Sequence, residues 1–386
     1  MTTATSHRRP LRSAARANVR RHGLFSRPRP RPPTKVAPAL VVASTLLALA
    51  APEHVHASPW TLPRGTMVLD VGYQYQFATQ EYFETGSARR FPLRGRLDAS
   101  SVRFRSRFGI TDWLEIEAAL PVSVVSYASD PVLLLDRPAG SMQGELDFFQ
   151  ENVIQLARTR AGPADFEFAG RAQLVASHPF VLATELRMKT PTGYERPSGT
   201  FGSRPTSAAD FLTNVTTYAR PDNVSDDVTL GDGQLDLSAS VLFGVSLGPR
   251  VFLRADGGYV LRFGGAGDQV TGAVRGGVLL TDRLMVYAST ALVRSVQQGD
   301  VIGISVAAED PNLPASQYGG ATNLRLRELR LERDAWTVDG GLLIRLTPEV
   351  ELNFNLGRLL WGRNTAAVTN VSASVSIRAD LLAIGR

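Results

Sequence analysis

Val350-Glu-Leu-Asn-Phe-Asn-Leu-Gly357 alternates apolar and polar positions for eight residues in a row. Successive side chains of a strand point to opposite faces, so this pattern describes a strand with one apolar and one polar face. Trp113-Leu-Glu-Ile-Glu-Ala-Ala-Leu-Pro-Val122 repeats it, with Leu114, Ile116, Ala118, Leu120 and Val122 on one side and Glu115 and Glu117 on the other. Gln234-Leu-Asp-Leu-Ser-Ala-Ser-Val-Leu-Phe-Gly-Val245 does the same through Leu235, Leu237, Ala239, Val241, Phe243 and Val245.

Outward from these segments the pattern recurs near 65–77, 97–108, 113–127, 165–177, 180–189, 234–247, 250–263, 268–280, 284–295, 335–346, 350–358 and 366–378, which makes twelve strands. The connections fall into two alternating classes. The longer set is 78–96, 128–164, 190–233, 264–267, 296–334 and 359–365; the tight turns are Gly109-Ile-Thr-Asp112, His178-Pro179, Gly248-Pro249, Thr281-Asp-Arg283 and Thr347-Pro-Glu349. A soluble sandwich has no reason to sort its loops by length to opposite ends, whereas a transmembrane antiparallel up-and-down barrel has short periplasmic turns and long outer loops. In hydrocarbon every backbone N–H and C=O must be paired internally, and a closed barrel is the β-structure that achieves this. The expected fold is therefore an all-β, twelve-stranded outer-membrane barrel over residues 58–386, with 128–164, 190–233 and 296–334 forming a lid or capture site. A single stretch, about Leu146 to Arg158, has a helix-like pattern.

The formal charge of +6 does not belong to that barrel. Residues 1–57 hold ten of the 42 Lys and Arg and one of the 36 acids, which leaves the remainder net −3 and excludes nucleic acid as a partner read from charge. The basic leader is followed by an apolar run, Val36 to Ala51, interrupted by Pro38, and then by Val55-His56-Ala57 with small residues at −3 and −1 of a cleavage point. That layout is a secretory signal peptide, and the run is shorter than the roughly 20 residues a membrane helix needs. Ser58 to the first strand is about eight residues, too few for a plug domain.

With no Cys, the chain has neither disulfides nor thiolate metal ligands. Four of its five His lie in the leader, and the other, His178, falls in a tight turn. A nucleophilic hydrolase needs a base within reach of its nucleophile, so a non-enzyme is expected. No phosphate loop, spaced His cluster or dinucleotide fingerprint appears, and no cofactor is expected. The acidic stretch Asp222-Asn-Val-Ser-Asp-Asp-Val-Thr-Leu-Gly-Asp-Gly233 lacks calcium-loop spacing and reads as a solvated outer loop.

If the apolar faces meet outer-membrane lipid, the charged faces line the lumen. The candidate solute path is Arg103, Arg105, Arg107, Glu115, Glu117, Arg171, Glu185, Arg187, Asp236, Arg254, Asp256, Arg262, Asp339, Arg345 and Glu351; Asp70, Glu167, Lys189, Arg275 and Arg378 share the inward faces. Antiparallel partners have a constant number sum. A sum of 222 at the first turn sets Arg107 opposite Glu115 and Arg105 opposite Glu117, 498 sets Asp236 opposite Arg262, and 696 sets Arg345 opposite Glu351. These ladders read first as mutually neutralised filling of a narrow barrel, second as a selective pore wall. Tyr73, Tyr75, Phe77, Phe108, Trp113, Tyr127, Tyr259, Phe263, Tyr287, Trp336 and Trp361 lie near strand ends, where interfacial girdles belong.

Several of these segments resemble one family. Phe108-Gly-Ile-Thr-Asp-Trp-Leu-Glu-Ile-Glu-Ala-Ala-Leu-Pro121, Glu185-Leu-Arg-Met-Lys-Thr-Pro-Thr-Gly193, Gly231-Asp-Gly-Gln-Leu-Asp-Leu-Ser-Ala-Ser240 with Asp256-Gly-Gly-Tyr-Val-Leu-Arg262, and Leu342-Leu-Ile-Arg-Leu-Thr-Pro-Glu-Val-Glu-Leu-Asn353 are similar to hairpins of the outer-membrane barrels grouped as the MetA pathway of phenol degradation. The resemblance implies passage of small hydrophobic or aromatic compounds across the outer membrane of a Gram-negative bacterium. The alternative reading is a structural or adhesive barrel with a closed, charge-filled lumen; a soluble secreted β-protein comes third.

Overall fold

The computed structural model describes residues 58–130, 132–133, 153–154, 157–193, 210, 213, 228–308 and 324–382. Residues 1–57, read above as leader and signal peptide, residues 222–227 of the acidic stretch and the remaining residues of the expected lid segments 128–164, 190–233 and 296–334 lie outside them. Twelve long strands form the wall: β1 Thr66–Ala78, β2 Arg96–Gly109, β3 Leu114–Ala128, β4 Phe166–Ser177, β5 Phe180–Thr190, β6 Leu235–Leu247, β7 Val251–Phe263, β8 Gln269–Thr281, β9 Leu284–Ser295, β10 Asp334–Arg345, β11 Val350–Arg363 and β12 Thr369–Asp380. Each pairs antiparallel with its sequence neighbours, and β1 pairs with β12 from Thr66↔Asp380 to Phe77↔Thr369, so the sheet closes on itself without an edge. Most strand bounds fall within a residue or two of the alternation; β11 runs further than expected, to Arg363.

Alternation decides which way each side chain points. Along β3, Glu115, Glu117, Ala119, Ser123, Val125 and Tyr127 are buried, while Leu120, Val122 and Val124 between them are exposed. The same holds around the ring, and all twelve strands present large apolar side chains outward, among them Val71, Phe104, Leu174, Leu186, Val241, Leu261, Val274, Leu292, Leu342, Leu356 and Val375. A continuous apolar belt of this kind is far larger than the patches that water-soluble monomers expose. It is the outer surface of a membrane barrel. Tyr73, Phe77, Trp113, Tyr259, Phe263 and Trp336 are exposed as a girdle requires, but Tyr127 and Tyr287 are buried on the inward face, because their parity places them with the lumen set.

Two of the three expected registers hold: Asp236 pairs with Arg262 and Arg345 with Glu351. The first hairpin is shifted by two, with Arg107 opposite Glu117 and Gly109 opposite Glu115. Both Ile110 N and Thr111 N donate to Leu114 O, at 2.9 and 3.2 Å, so the tip of the turn is centred on Asp112, one residue further along the chain. The expected ion pairs persist on the diagonal, Arg107 Nη1 to Glu115 at 3.7 Å and Arg105 Nε to Glu117 at 4.0 Å.

The connection expected at 128–164 is partly wall. Arg158–Pro163 pairs with the second half of β3, offset by one from the β3–β4 register, and Ala164 N donates to Pro121 O at 2.8 Å across the offset. Pro121 has no N–H to give the ladder, which fits a bulged position. The helix-like pattern about 146–158 is not borne out where it is described: Val153–Ile154 pairs with Val132–Leu133, and Arg158 is extended. Val301–Ala308 and Leu324–Arg330 form a hairpin above the barrel.

Substituting Val375→Arg, midway along the outer face of β12, should cost about 2–4 kcal/mol of folding free energy in lipid vesicles. Ser374→Arg, one residue away and facing inward, should cost much less by urea titration.

Candidate functional site in the barrel lumen

The interior is filled unevenly. On the side of β3, β4 and β5, Arg171 is 3 % exposed and lies 2.9 Å from Glu115, 2.6 Å from Glu185 and 3.7 Å from Glu117. Arg187 lies 2.8 Å from Glu167, 3.1 Å from Glu185 and 3.2 Å from Glu117. Two planar guanidinium forks thus hold four carboxylates that parity places on adjacent inward faces. Removing one buried partner strands the others' charges, which costs far more than the pair gains.

Toward the loop end, Asp232, in the link before β6, bonds Lys189 Nζ at 2.5 Å and also Arg262, while Asp236 lies 2.8 Å from Lys189 and 3.1 Å from Arg262. Burial alone would push the Asp232 carboxyl up, but Lys189 and Arg262 hold it below the ordinary carboxylate range. A depressed carboxylate contributes its full stability above its unfolded pKa and loses it as pH falls through the lower folded value. The Asp232 pairs therefore hold at neutral pH and weaken as pH falls below the ordinary carboxylate range, whereas burial pushes the carboxyl of Asp165, 3.5 Å from Lys189, up to about 6. Glu332 and Asp334 share Arg363 at 3.3 and 3.1 Å beside it.

The opposite side is open. A cavity of about 460 Å³ runs from Ser58, Phe252 and Leu343 at the tight-turn end to Val293, Val368 and Arg333 toward the loops. It exists because the inward residues there are short: Gly72, Gln74 and Gln76 on β1, Asn353, Asn355 and Gly357 on β11, and Asn370, Ser372, Ser374 and Ser376 on β12. They form a polar mesh. Ser376 donates to Asp70 at 2.7 Å, Tyr287 to Asn353 at 2.8 Å, and Ser289 and Asn355 to Asp339 at 2.5 and 2.7 Å.

Both mouths are narrowed. Residues 58–65 form no separate plug domain, yet they fold into the tight-turn mouth: Leu62 N donates to Glu115 at 2.8 Å, Thr61 N to Gln173 at 3.2 Å and Arg64 N to Asp112 at 2.9 Å. Trp60 lies against Gly244, where a Cβ would stand 2.7 Å from its ring. At the other mouth Phe91 and Leu97 pack with inward Ala99, Val125 and Tyr127 and with Val228 and Val368 into an apolar cluster, Phe91 meeting Tyr127 edge to face at 5.3 Å.

The expected residues divide between these regions. Glu115, Glu185, Arg187, Asp236 and Arg262 belong to the filled side and rim, and Asp256 lines a smaller cavity of about 110 Å³ beside them. Arg103, Arg105, Arg107, Glu117, Arg171, Arg254, Asp339 and Glu351 line the open chamber. Arg345 pairs with Glu351 at 3.0 Å near the tight-turn end. Sequence reasoning missed Arg333, which sits in a link rather than a strand, and the strap from Ser58. It also passed over the short polar face of β12, although the period-two serines Ser372, Ser374 and Ser376 signal it.

No family model and no curated protein matches the chain by sequence. Among solved structures it is similar to the COG4313 outer membrane channel from Pseudomonas putida F1, at 12% identity over 83% of this chain and 97% of that one, with a TM-score of 0.52. A monoaromatic hydrocarbon channel, the TodX ΔS2S3 mutant, aligns at 12% identity over 88% and 96% of the two chains, TM-score 0.38, and the CymD monoaromatic hydrocarbon channel at 10% over 82% and 88%, TM-score 0.35. What the first of these shares with this chain is the fold, a closed antiparallel outer-membrane β-barrel.

Arg171→Met should destabilise the barrel by about 3–5 kcal/mol at pH 7, because three buried glutamates lose their partner. The triple variant with Glu115→Gln and Glu185→Gln should recover most of that loss, as denaturant titration at pH 7 checks.

Proposed function

We propose that residues 58–386, exported and freed of the leader 1–57, form an outer-membrane channel through which small solutes move passively. The observation that carries this reading is the eccentric chamber, which reaches from the strap at one mouth to the apolar cluster at the other along a face built of Asn, Ser, Gln and Gly. A barrel whose interior served only as structural filling has no need for a side left open. The aromatic class implied by the family resemblance fits an apolar collar in the chamber wall, made by Phe252, Met285, Tyr287 and Leu343. Two glycines make room for its rings: a Cβ on Gly277 would lie 2.3 Å from Phe252 and one on Gly341 2.4 Å from the Tyr287 hydroxyl. Nothing in this arrangement calls for catalysis, and His178 sits in a turn rather than in the chamber.

The second reading, a closed structural or adhesive barrel, is favoured by the apolar cluster and the strap that narrow the two mouths. Planar-bilayer recording separates them. The channel reading expects discrete conductance steps from the protein spanning 58–386, and larger steps from Gly244→Leu, which drives Trp60 off the wall. A silent bilayer with both proteins, together with no uptake of phenol by vesicles, sinks the channel reading in favour of the closed barrel.

A further inference from the structure

We propose that the chamber is a binding site for small organic anions, and that aromatic monocarboxylates are the class it fits best. The inference deepens the channel reading and rests on the chamber being that channel's lumen. The lumen's charges nearly balance when taken together, but they are not evenly placed. Carboxylates are turned into the filled side and the rim, while the chamber wall carries eight arginines against four carboxylates.

One pairing in that wall sets two like charges side by side. Arg254 and Arg275 are direct cross-strand partners on β7 and β8, both facing inward. Like charges directly opposite on a sheet destabilise it. Two carboxylates stand beside the pair: Asp339, 3.6 Å from Arg275 and also accepting from Ser289 and Asn355, and Asp256, two residues after Arg254 on the same strand. Nε of Arg105, Arg254 and Arg275 and Nη1 of Arg333 are buried in the chamber wall with no hydrogen-bond partner among the described residues. Buried donors left unpaired cost free energy, and natural structures keep few of them. Arg105 stands on β2, six strands from β8 in the ring of twelve, and lines the same chamber. A carboxylate entering the chamber at Arg254 and Arg275 meets two adjacent guanidinium groups, donors suited to binding an oxyanion.

The same strands supply the second half of the recognition. Phe252 is two residues before Arg254 on the same face, and its ring lies over Gly277, two residues beyond Arg275. The Arg275 guanidinium is 4.7 Å from the centroid of the Tyr287 ring. A flat ring placed on this collar sets its carboxylate at the Arg254/Arg275 pair, and about 460 Å³ is within the usual size of a small-ligand site, roughly 300–1,000 Å³.

The test titrates the detergent-folded protein with benzoate, benzyl alcohol, benzylammonium and acetate by calorimetry. Benzoate should bind, acetate at least tenfold more weakly, and the alcohol and the cation not measurably. The double variant R254Q/R275Q should lose at least tenfold in benzoate affinity while unfolding at equal or higher urea concentration, since it relieves like-charge repulsion. Equal binding of benzyl alcohol or benzylammonium, or unchanged benzoate affinity in the double variant, overturns the site; acetate binding as tightly as benzoate overturns the aromatic class. Reversal potentials in a KCl gradient should show anion preference that the double variant loses. Conductance without that preference overturns the anionic site and leaves the channel standing, whereas benzoate binding without conductance supports the site and removes the channel.

Discussion

A backbone amide or carbonyl facing hydrocarbon has no water to bond, and each one left unpaired costs several kcal/mol. Every other property of this chain follows from meeting that demand. The ladder between β1 and β12 pairs the first strand with the last, separated by most of the sequence, and with it the sheet has no edge. Closure then fixes which side chains meet lipid and which are enclosed, because alternation leaves a strand only those two faces. Leu186 and Arg187 are neighbours in sequence, yet one is 60 % exposed to the apolar exterior and the other is held by three glutamates.

What fills the enclosed volume is decided by side-chain length more than by charge. Where β3, β4 and β5 point Glu and Arg inward, the long chains meet at the centre and consume the space. Where β11, β12 and β1 point Asn, Ser, Gln and Gly inward, the space stays open. A barrel of fixed strand number therefore carries a bore of adjustable width and position, set by substitutions that leave the outer face and the backbone ladder untouched. The ion-pair cluster also fixes the mouth, since Glu115 serves both Arg171 and the backbone N–H of Leu62 in the strap.

Much of this is legible in the amino-acid sequence. Period-two alternation is a direct imprint of the lipid boundary, so strand number, strand order and the inward set from Arg103 to Glu351 can be read from it. Two registers follow from parity and turn length alone. The first does not, because sliding the tip by one residue, from Thr111 to Asp112, changes the sum by two and keeps the parity, and only the hydrogen bonds of Ile110 and Thr111 fix it. Tyr127 and Tyr287 mislead for a related reason: an aromatic at a strand end suits an interface, but its parity sends it inside. The chamber is hardest to foresee. It depends on which inward faces are short, and on strands far apart in sequence such as β2 and β8 being opposite in the ring.

The seam of closure runs through the wall of the chamber, since β1 and β12 both line it. The ion-paired side, by contrast, is built from three consecutive strands joined by local connections. During assembly the buttress of Arg171 and its glutamates is available as soon as β3 to β5 have paired, whereas the cavity has no wall until the last strand finds the first. An enclosed chamber is thus the last feature this polypeptide acquires, after the brace of Arg171 and its glutamates.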